Sequence, residues 1–204
     1  MTDQTAALLV VDMQKDFCPG GALAVPDADR IVPSLNRYVA EARARDMPVY
    51  ASRDWHPPVT SHFKEFGGQW PPHCVQGSEG ATFHADLRLP ADAIVIAKGD
   101  DPSQAGYSAF EGHTAGGKTL LSDLRNRHIR RLYVTGVATD YCVKATALDA
   151  LRAGFDVRIL SDAIAGIDLH PGDVARALDE LSRSGARIVD GLDAGDALKD
   201  GKPS

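Results

Sequence analysis

The chain repeats one pattern: short, unbroken apolar runs alternate with longer segments in which apolar residues recur every three or four positions. Runs rich in Val, Ile and Leu fall at 6–11, 48–52, 93–97, 132–135, 157–160 and 187–189. Most lack polar alternation, as strands buried on both faces do. Ile31, Leu35, Tyr38, Val39 and Ala42 make one helical stripe, and Val143, Ala147, Leu148 and Leu151 make another that stops at Gly154. Val174, Ala177, Leu178 and Leu181 make a third, opened by 171–173 and closed by Gly185, while Leu120, Leu121 and Leu124 mark a shorter helix. Strands alternating with helices predict a single α/β domain over 1–190. It is a Rossmann-like sandwich, with a mostly parallel sheet of about six strands and helices on both faces. The small, polar, acidic stretch 191–204 reads as a loosely ordered C-terminal tail.

The stretch 53–91 breaks the alternation. It carries no periodic element but holds Pro57, Pro58, Pro71, Pro72, Gly67, Gly68, Gly77 and Gly80 among a concentration of Trp and His. A structureless segment that long in a domain is usually functional or misassigned, and the Trp and His favour function.

Composition narrows the classes. A chain of 204 residues, 44% hydrophobic, can bury one substantial core. Its 22 basic and 28 acidic residues give a net charge of −6 with no long basic run, which argues against nucleic-acid or membrane partners. The apolar run at 6–11 is far too short to span a bilayer and no basic region precedes it, so a cytoplasmic location is expected. Cys18, Cys74 and Cys142 form no CxxC pair, in keeping with a reduced setting.

Sites in such folds gather at the carboxyl ends of the strands. Asp12 leaves the first strand in VDMQKDF, Lys98 ends the third in VIAKGD, and Cys142 follows the fourth in GVATDYC. Taken singly these are commonly a turn residue, a solvated cation and a small buried hydrophobe. Together they converge on one edge of the sheet. With Thr139 as N-cap, Cys142 occupies the third helical position, where the helix dipole and Lys98 favour its thiolate. Asp12 can take the thiol proton and return it to a leaving amine, and backbone N–H groups at Ala138 and Cys142 can hold an oxyanion. Asp54 and His56 in RDWH point the same way in extended backbone, with His62 and His73 following. Imidazoles with a carboxylate suit a zinc, iron or manganese ion, although spacing alone leaves solvated loop histidines equally open.

VDMQKDFCPGGALAVP, SRDWHP, WPPHCVQG, KGDD…YSAFEG and GVATDYCVKATALDA occur in order from about Leu8 to Ile188. Together they resemble the nicotinamidase/pyrazinamidase group of the isochorismatase-like cysteine hydrolases. The resemblance implies hydrolysis of nicotinamide to nicotinate and ammonia through a thioester, as a step of NAD salvage, with pyrazinamide as an adventitious substrate. It implies a catalytic triad of Asp12, Lys98 and Cys142, and an oxyanion hole at Ala138 and Cys142 after a cis peptide between Val137 and Ala138. The implied metal ligands are Asp54, His56 and His73, with His62 or Glu65 as less secure additions, and zinc is preferred over iron or manganese. Phe17, Trp70, Tyr107 and Val137 are implied as the substrate pocket. His84 and His113 have no counterpart and read as surface residues, and Cys18 and Cys74 have no evident role. Two alternatives stay open: a related hydrolase acting on an N-carbamoyl, ureido or other small amide, and a non-catalytic metal- or thiol-binding protein. A dinucleotide-binding enzyme carries little weight without GxGxxG. Homo-oligomerisation through the apolar helices is left open.

Overall fold

The computed structural model of the protein describes residues 5–192. Six parallel strands form its sheet, in the order β3-β2-β1-β4-β5-β6: β1 (Ala6–Val11), β2 (Val49–Asp54), β3 (Ile94–Lys98), β4 (Arg131–Val137), β5 (Asp156–Ala165) and β6 (Arg187–Val189). All six lie where the apolar runs place them. Every residue of β1 and β4 is buried, which explains why neither run alternates.

The helices cover both faces. α1 (Val32–Ala44) packs Leu35, Tyr38, Val39 and Ala42 against one face of the sheet. α2 (Leu120–Asn126), α3 (Lys144–Arg152) and α4 (Asp173–Arg183) cover the other through Leu120, Leu124, Ala147, Ala150 and Leu181. Of the predicted α3 stripe, Leu148 and Leu151 are only partly buried, and Thr146 and Ala150 face the core instead. β5 runs five residues past the predicted end at 160, because a register shift lets it continue through the polar pair Ser161 and Asp162. Asp162 is held there by Tyr38 Oη at 2.6 Å and Ser34 Oγ at 2.9 Å.

Only residues 191 and 192 of the predicted tail are described. Leu192 is buried against the α1 face, and its carbonyl accepts from Arg45 at 3.1 Å. The rest of the tail, 193–204, lies outside the described residues. No helix among the described residues is long and apolar enough to cross a membrane.

The strand order places β1 and β4 side by side at the centre, with β2 and β3 on one flank and β5 and β6 on the other. The chain direction across the sheet reverses there, and a crevice opens at the carboxyl ends of the strands. Asp12 leaves β1 and the Ala138 turn leaves β4 at that point.

Candidate active site

Three strand ends bring one set of buried charges together. Asp12 follows β1 in the left-handed region, with φ of 48°. The register of β2 on β3 sets Asp54 directly beside Lys98. The Lys98 side chain is fully buried; Nζ pairs with Asp54 Oδ1, lies 2.8 Å from Asp12 Oδ2 and donates to the Gly106 carbonyl at 3.0 Å. Cys142 Sγ is 3.5 Å from the same ammonium. Ser52 Oγ donates to Asp12 Oδ1 at 2.7 Å, and the Cys142 thiol lies against the same carboxyl group.

Burial and charge pairing together decide the protonation states. Burial pushes the Cys142 thiol well above its ordinary value, and the Lys98 ammonium only partly offsets burial and the two carboxylates. This corrects the expectation that the helix end and Lys98 favour a standing thiolate. Burial also raises Asp12 against the pull of Lys98, which makes its carboxylate a stronger base. Asp54 is driven the other way: burial opposes ionisation, but Lys98 and then His56 and His73 hold it well below the usual carboxylate range. Burial alone would depress Lys98, yet Asp12, Asp54 and Cys142 keep it firmly protonated.

Cys142 sits in a wide π-type turn, Thr139–Val143, rather than in the first turn of a regular helix. Its N-cap is Ala138, not Thr139, and no side chain caps it. The Ala138 carbonyl accepts from Tyr141 N at 3.1 Å and Val143 N at 3.0 Å, and the peptide between Val137 and Ala138 is cis. Ala138 and Cys142 both border the cavity described below.

The loop of 53–91 is tied down by small bridges, His56 to Val75 and Phe63 to Trp70, and these gather its histidines. Ring nitrogens of His56, His62 and His73 lie within 4.8 Å of one another, all three buried. Asp54 Oδ2 is 3.6 Å from His56 Nε2 and 3.8 Å from His73 Nε2. Backbone carbonyls fix the rings from behind: Gly99 O lies 2.9 Å from His56 Nδ1, and Pro71 O lies 2.8 Å from His73 Nδ1. Each ring is thereby oriented with Nδ1 at a carbonyl and Nε2 turned inward toward Asp54. His56 Nε2 is buried with no partner. His62 is pushed down to about 4 by burial and by the neighbouring imidazoles, so its ring is neutral and ready to ligate. An orphaned buried nitrogen among three imidazoles and an ionised carboxylate fits a divalent metal ion. Glu65 does not join this group: it is exposed on the short 3-10 turn Lys64–Phe66.

A narrow cavity lies over both clusters, bordered by Asp54, His62, His73, Ala138 and Cys142. Its walls include Phe17, Trp70 and Tyr107, as expected, with Trp70 Nε1 donating to Tyr107 Oη at 2.9 Å. Val137 is fully buried in the sheet and does not reach the cavity, since its side chain belongs to the core on the α1 face. Leu23, Tyr141 and Ile167 line it instead. Tyr141 meets Trp70 edge-on at 5.0 Å. His84 and His113 lie outside both clusters.

Sequence reasoning also passed over the supports. Gln14 Nε2 donates to the Asp54 and Ala81 carbonyls, each at 2.9 Å, while its Oε1 accepts from Asp54 N at 2.7 Å. Asp16 Oδ2 accepts from Cys74 N at 2.7 Å and so anchors the residue next to His73. Ser52 was legible: strand alternation puts it on the same face as Asp54. Cys18 and Cys74 are buried and free, with burial lifting the Cys18 thiol to about 11 and Cys74 further still, and neither borders the cavity as Cys142 does.

The isochorismatase domain family matches residues 6–192, nearly the whole chain. The chain belongs to that family. Within it, the chain is 43% identical over 198 residues to the nicotinamidase of Escherichia coli K12, an alignment covering 89% of this chain and 93% of the relative. It is 39% identical to the nicotinamidase/pyrazinamidase of Mycobacterium tuberculosis, over 90% and 97% of the two chains. Among solved structures, the pyrazinamidase of Pyrococcus horikoshii in complex with zinc superposes with a TM-score of 0.84 at 48% identity, covering 91% of this chain and 98% of that one. The six-stranded α/β sandwich is thus the fold of an isochorismatase-family hydrolase.

Proposed function

We propose that this protein is a metal-dependent nicotinamidase that hydrolyses nicotinamide, and pyrazinamide adventitiously, to the carboxylate and ammonia through a thioester on Cys142. The observation that carries the reading is the sharing of Asp54 between two buried clusters under one aromatic-walled cavity. On one side are the Asp12, Lys98 and Cys142 groups of an acyl-transfer site; on the other are three imidazoles suited to a metal. The similarity to curated nicotinamidases, and to a pyrazinamidase holding zinc, supports the same reading.

Asp54, His56, His62 and His73 would hold the ion, and zinc suits the set best, with iron or manganese compatible. When bound, the ion supplies a Lewis acid able to anchor a ring nitrogen. The rest is done by the chain. Trp70, Phe17, Tyr107 and Tyr141 enclose a flat ring and exclude water. Asp12 takes the Cys142 proton as sulfur attacks the carboxamide carbon, so the thiolate exists only in the transfer. The N–H groups of Ala138 and Cys142 stabilise the oxyanion. Asp12 then protonates the departing ammonia and activates the water that cleaves the thioester. Lys98 keeps its net positive charge throughout and balances whichever anion is present.

The role fits NAD salvage in the cytoplasm, with a small neutral substrate that needs no charge steering. The test is ammonia release from nicotinamide, before and after chelation, in wild type and in Cys142→Ala and Asp12→Asn. Wild type should release ammonia and lose the activity on chelation, and both variants should be inactive yet folded. Turnover retained by Cys142→Ala would overturn the nucleophile. An N-carbamoyl compound hydrolysed in place of nicotinamide would shift the assignment within the family.

A further inference from the structure

Ile167 forms one wall of the cavity and packs against the core on the α1 face. It belongs to the connection 166–172, between β5 and α4, which has no regular secondary structure. What holds it is Asp140, a buried carboxylate in the nucleophile's own turn. Asp140 Oδ1 accepts from Ile167 N at 3.0 Å and Oδ2 accepts from Asp168 N at 2.8 Å. Each oxygen thus takes one backbone N–H in a charge-assisted bond. The fit between turn and connection is tight: a Cβ on Gly166 would come within 3.0 Å of Asp140 Oδ1 and 3.3 Å of Thr139 Cβ. Beyond it the connection is fixed again, by Asp168 Oδ1 accepting from Val174 N at 3.0 Å as α4 begins.

We infer that Asp140 is a positioning residue that sets the width of the ring pocket, by holding Ile167 at a fixed distance from Cys142. The inference rests on the nicotinamidase reading. Asp140 follows Ala138 by two residues and precedes Cys142 by two, so one short turn carries the oxyanion donors, the nucleophile and the clamp on the opposite wall. Pocket width and the attacking sulfur are therefore referenced to the same piece of backbone. Asp140 touches neither the Lys98 cluster nor the histidines, so its loss should loosen ring binding rather than the chemical step.

The experiment compares nicotinamide with a wider bicyclic amide, quinoline-3-carboxamide, by ammonia release from metal-loaded enzyme. Asp140→Ala should raise KM for nicotinamide about 10-fold while kcat changes less than about 3-fold. The preference for nicotinamide in kcat/KM should fall by about the same 10-fold, because the freed wall admits the wider ring. Asp140→Asn, which keeps one acceptor oxygen, should fall between. Ile167→Ala removes the wall itself and should narrow the preference likewise, which serves if Asp140→Ala does not fold. A fall in kcat at constant KM, or an unchanged preference in Asp140→Asn and Ile167→Ala, would overturn the inference. Wild type that releases no ammonia from nicotinamide would instead overturn the reading beneath it.

Discussion

Replacing Lys98 by Met removes the cation that balances two buried carboxylates while keeping an unbranched stem in its place. Lys98 is fully buried and reaches Asp12, Asp54, Gly106 O and Cys142. Removing one partner of a buried ion pair costs about 3–5 kcal/mol, because the charge left behind is neither solvated nor paired. A chain of this size shifts its Tm by about 2–4 °C per kcal/mol, so the deficit should be roughly 6–20 °C. The sign of its pH dependence is the sharper test. In the native protein Asp54 lies well below its unfolded value, so it contributes stability above about pH 4 that is lost as pH falls through the folded value. Without Lys98, burial is opposed only by the Ser52 hydrogen bond at Asp12 and by His56 and His73 at Asp54, and both rise. A raised carboxylate binds its proton more tightly folded than unfolded, so the variant regains stability as pH drops toward the unfolded value. Lys98's own raised value contributes stability lost only above about pH 10.5 and does not enter this range. Thermal denaturation of chelator-treated protein at about pH 5 and pH 8 should therefore show the larger deficit at pH 8. Equal deficits, or a loss below about 1 kcal/mol at both, would refute the view of Lys98 as the counter-charge of this pair.

Three further outcomes follow from the same geometry. Alkylation of Cys142 by iodoacetamide in the free, chelator-treated protein should stay slow through neutral pH and rise only above the ordinary thiol value of about 8.5; a midpoint below that would show a standing thiolate. His62→Ala should weaken zinc binding, read by competition with a chromophoric chelator, by at least about 100-fold, the upper end of what losing an outer partner costs; unchanged affinity would remove His62 from the ligand set. Gly99→Ala forces a side chain into a left-handed backbone at φ of 70°, with its Cβ 2.4 Å from the His56 ring. It should lower zinc affinity about 10- to 100-fold by disturbing the carbonyl that orients His56, and affinity equal to wild type would show that this support is dispensable.

What was legible in the sequence and what was not divide along a physical line. Strands buried on both faces leave unbroken apolar runs, so all six could be read, and their parallel alternation with helices placed Asp12, Lys98 and the Cys142 turn at one sheet edge. The misread end of β5 came from Ser161 and Asp162, whose polarity is satisfied across the fold by groups distant in sequence. Local pattern holds no record of such partners. The same limit covers Gln14, Asp16 and Asp140, each of which spends its side chain on backbone groups from a remote loop.

The state of Cys142 marks that line most clearly. Its position in GVATDYC suggested a thiolate favoured by a helix end and a nearby lysine. A turn and a lysine are both there, but the turn is π-type and Cys142 is buried, with two carboxylates sharing the Lys98 ammonium beside it. Desolvation then outweighs one ammonium, and the thiol stays neutral until a base accepts its proton. The same desolvation raises Asp12, so the group that must take that proton is strengthened as the thiol is weakened as an acid. Desolvation thus strengthens the base while weakening the acid, so the proton has to leave sulfur as sulfur attacks the carbonyl carbon. A motif names the residues that take part. The balance between excluded water and paired charge sets the direction in which each one titrates, and that balance is a property of the folded walls.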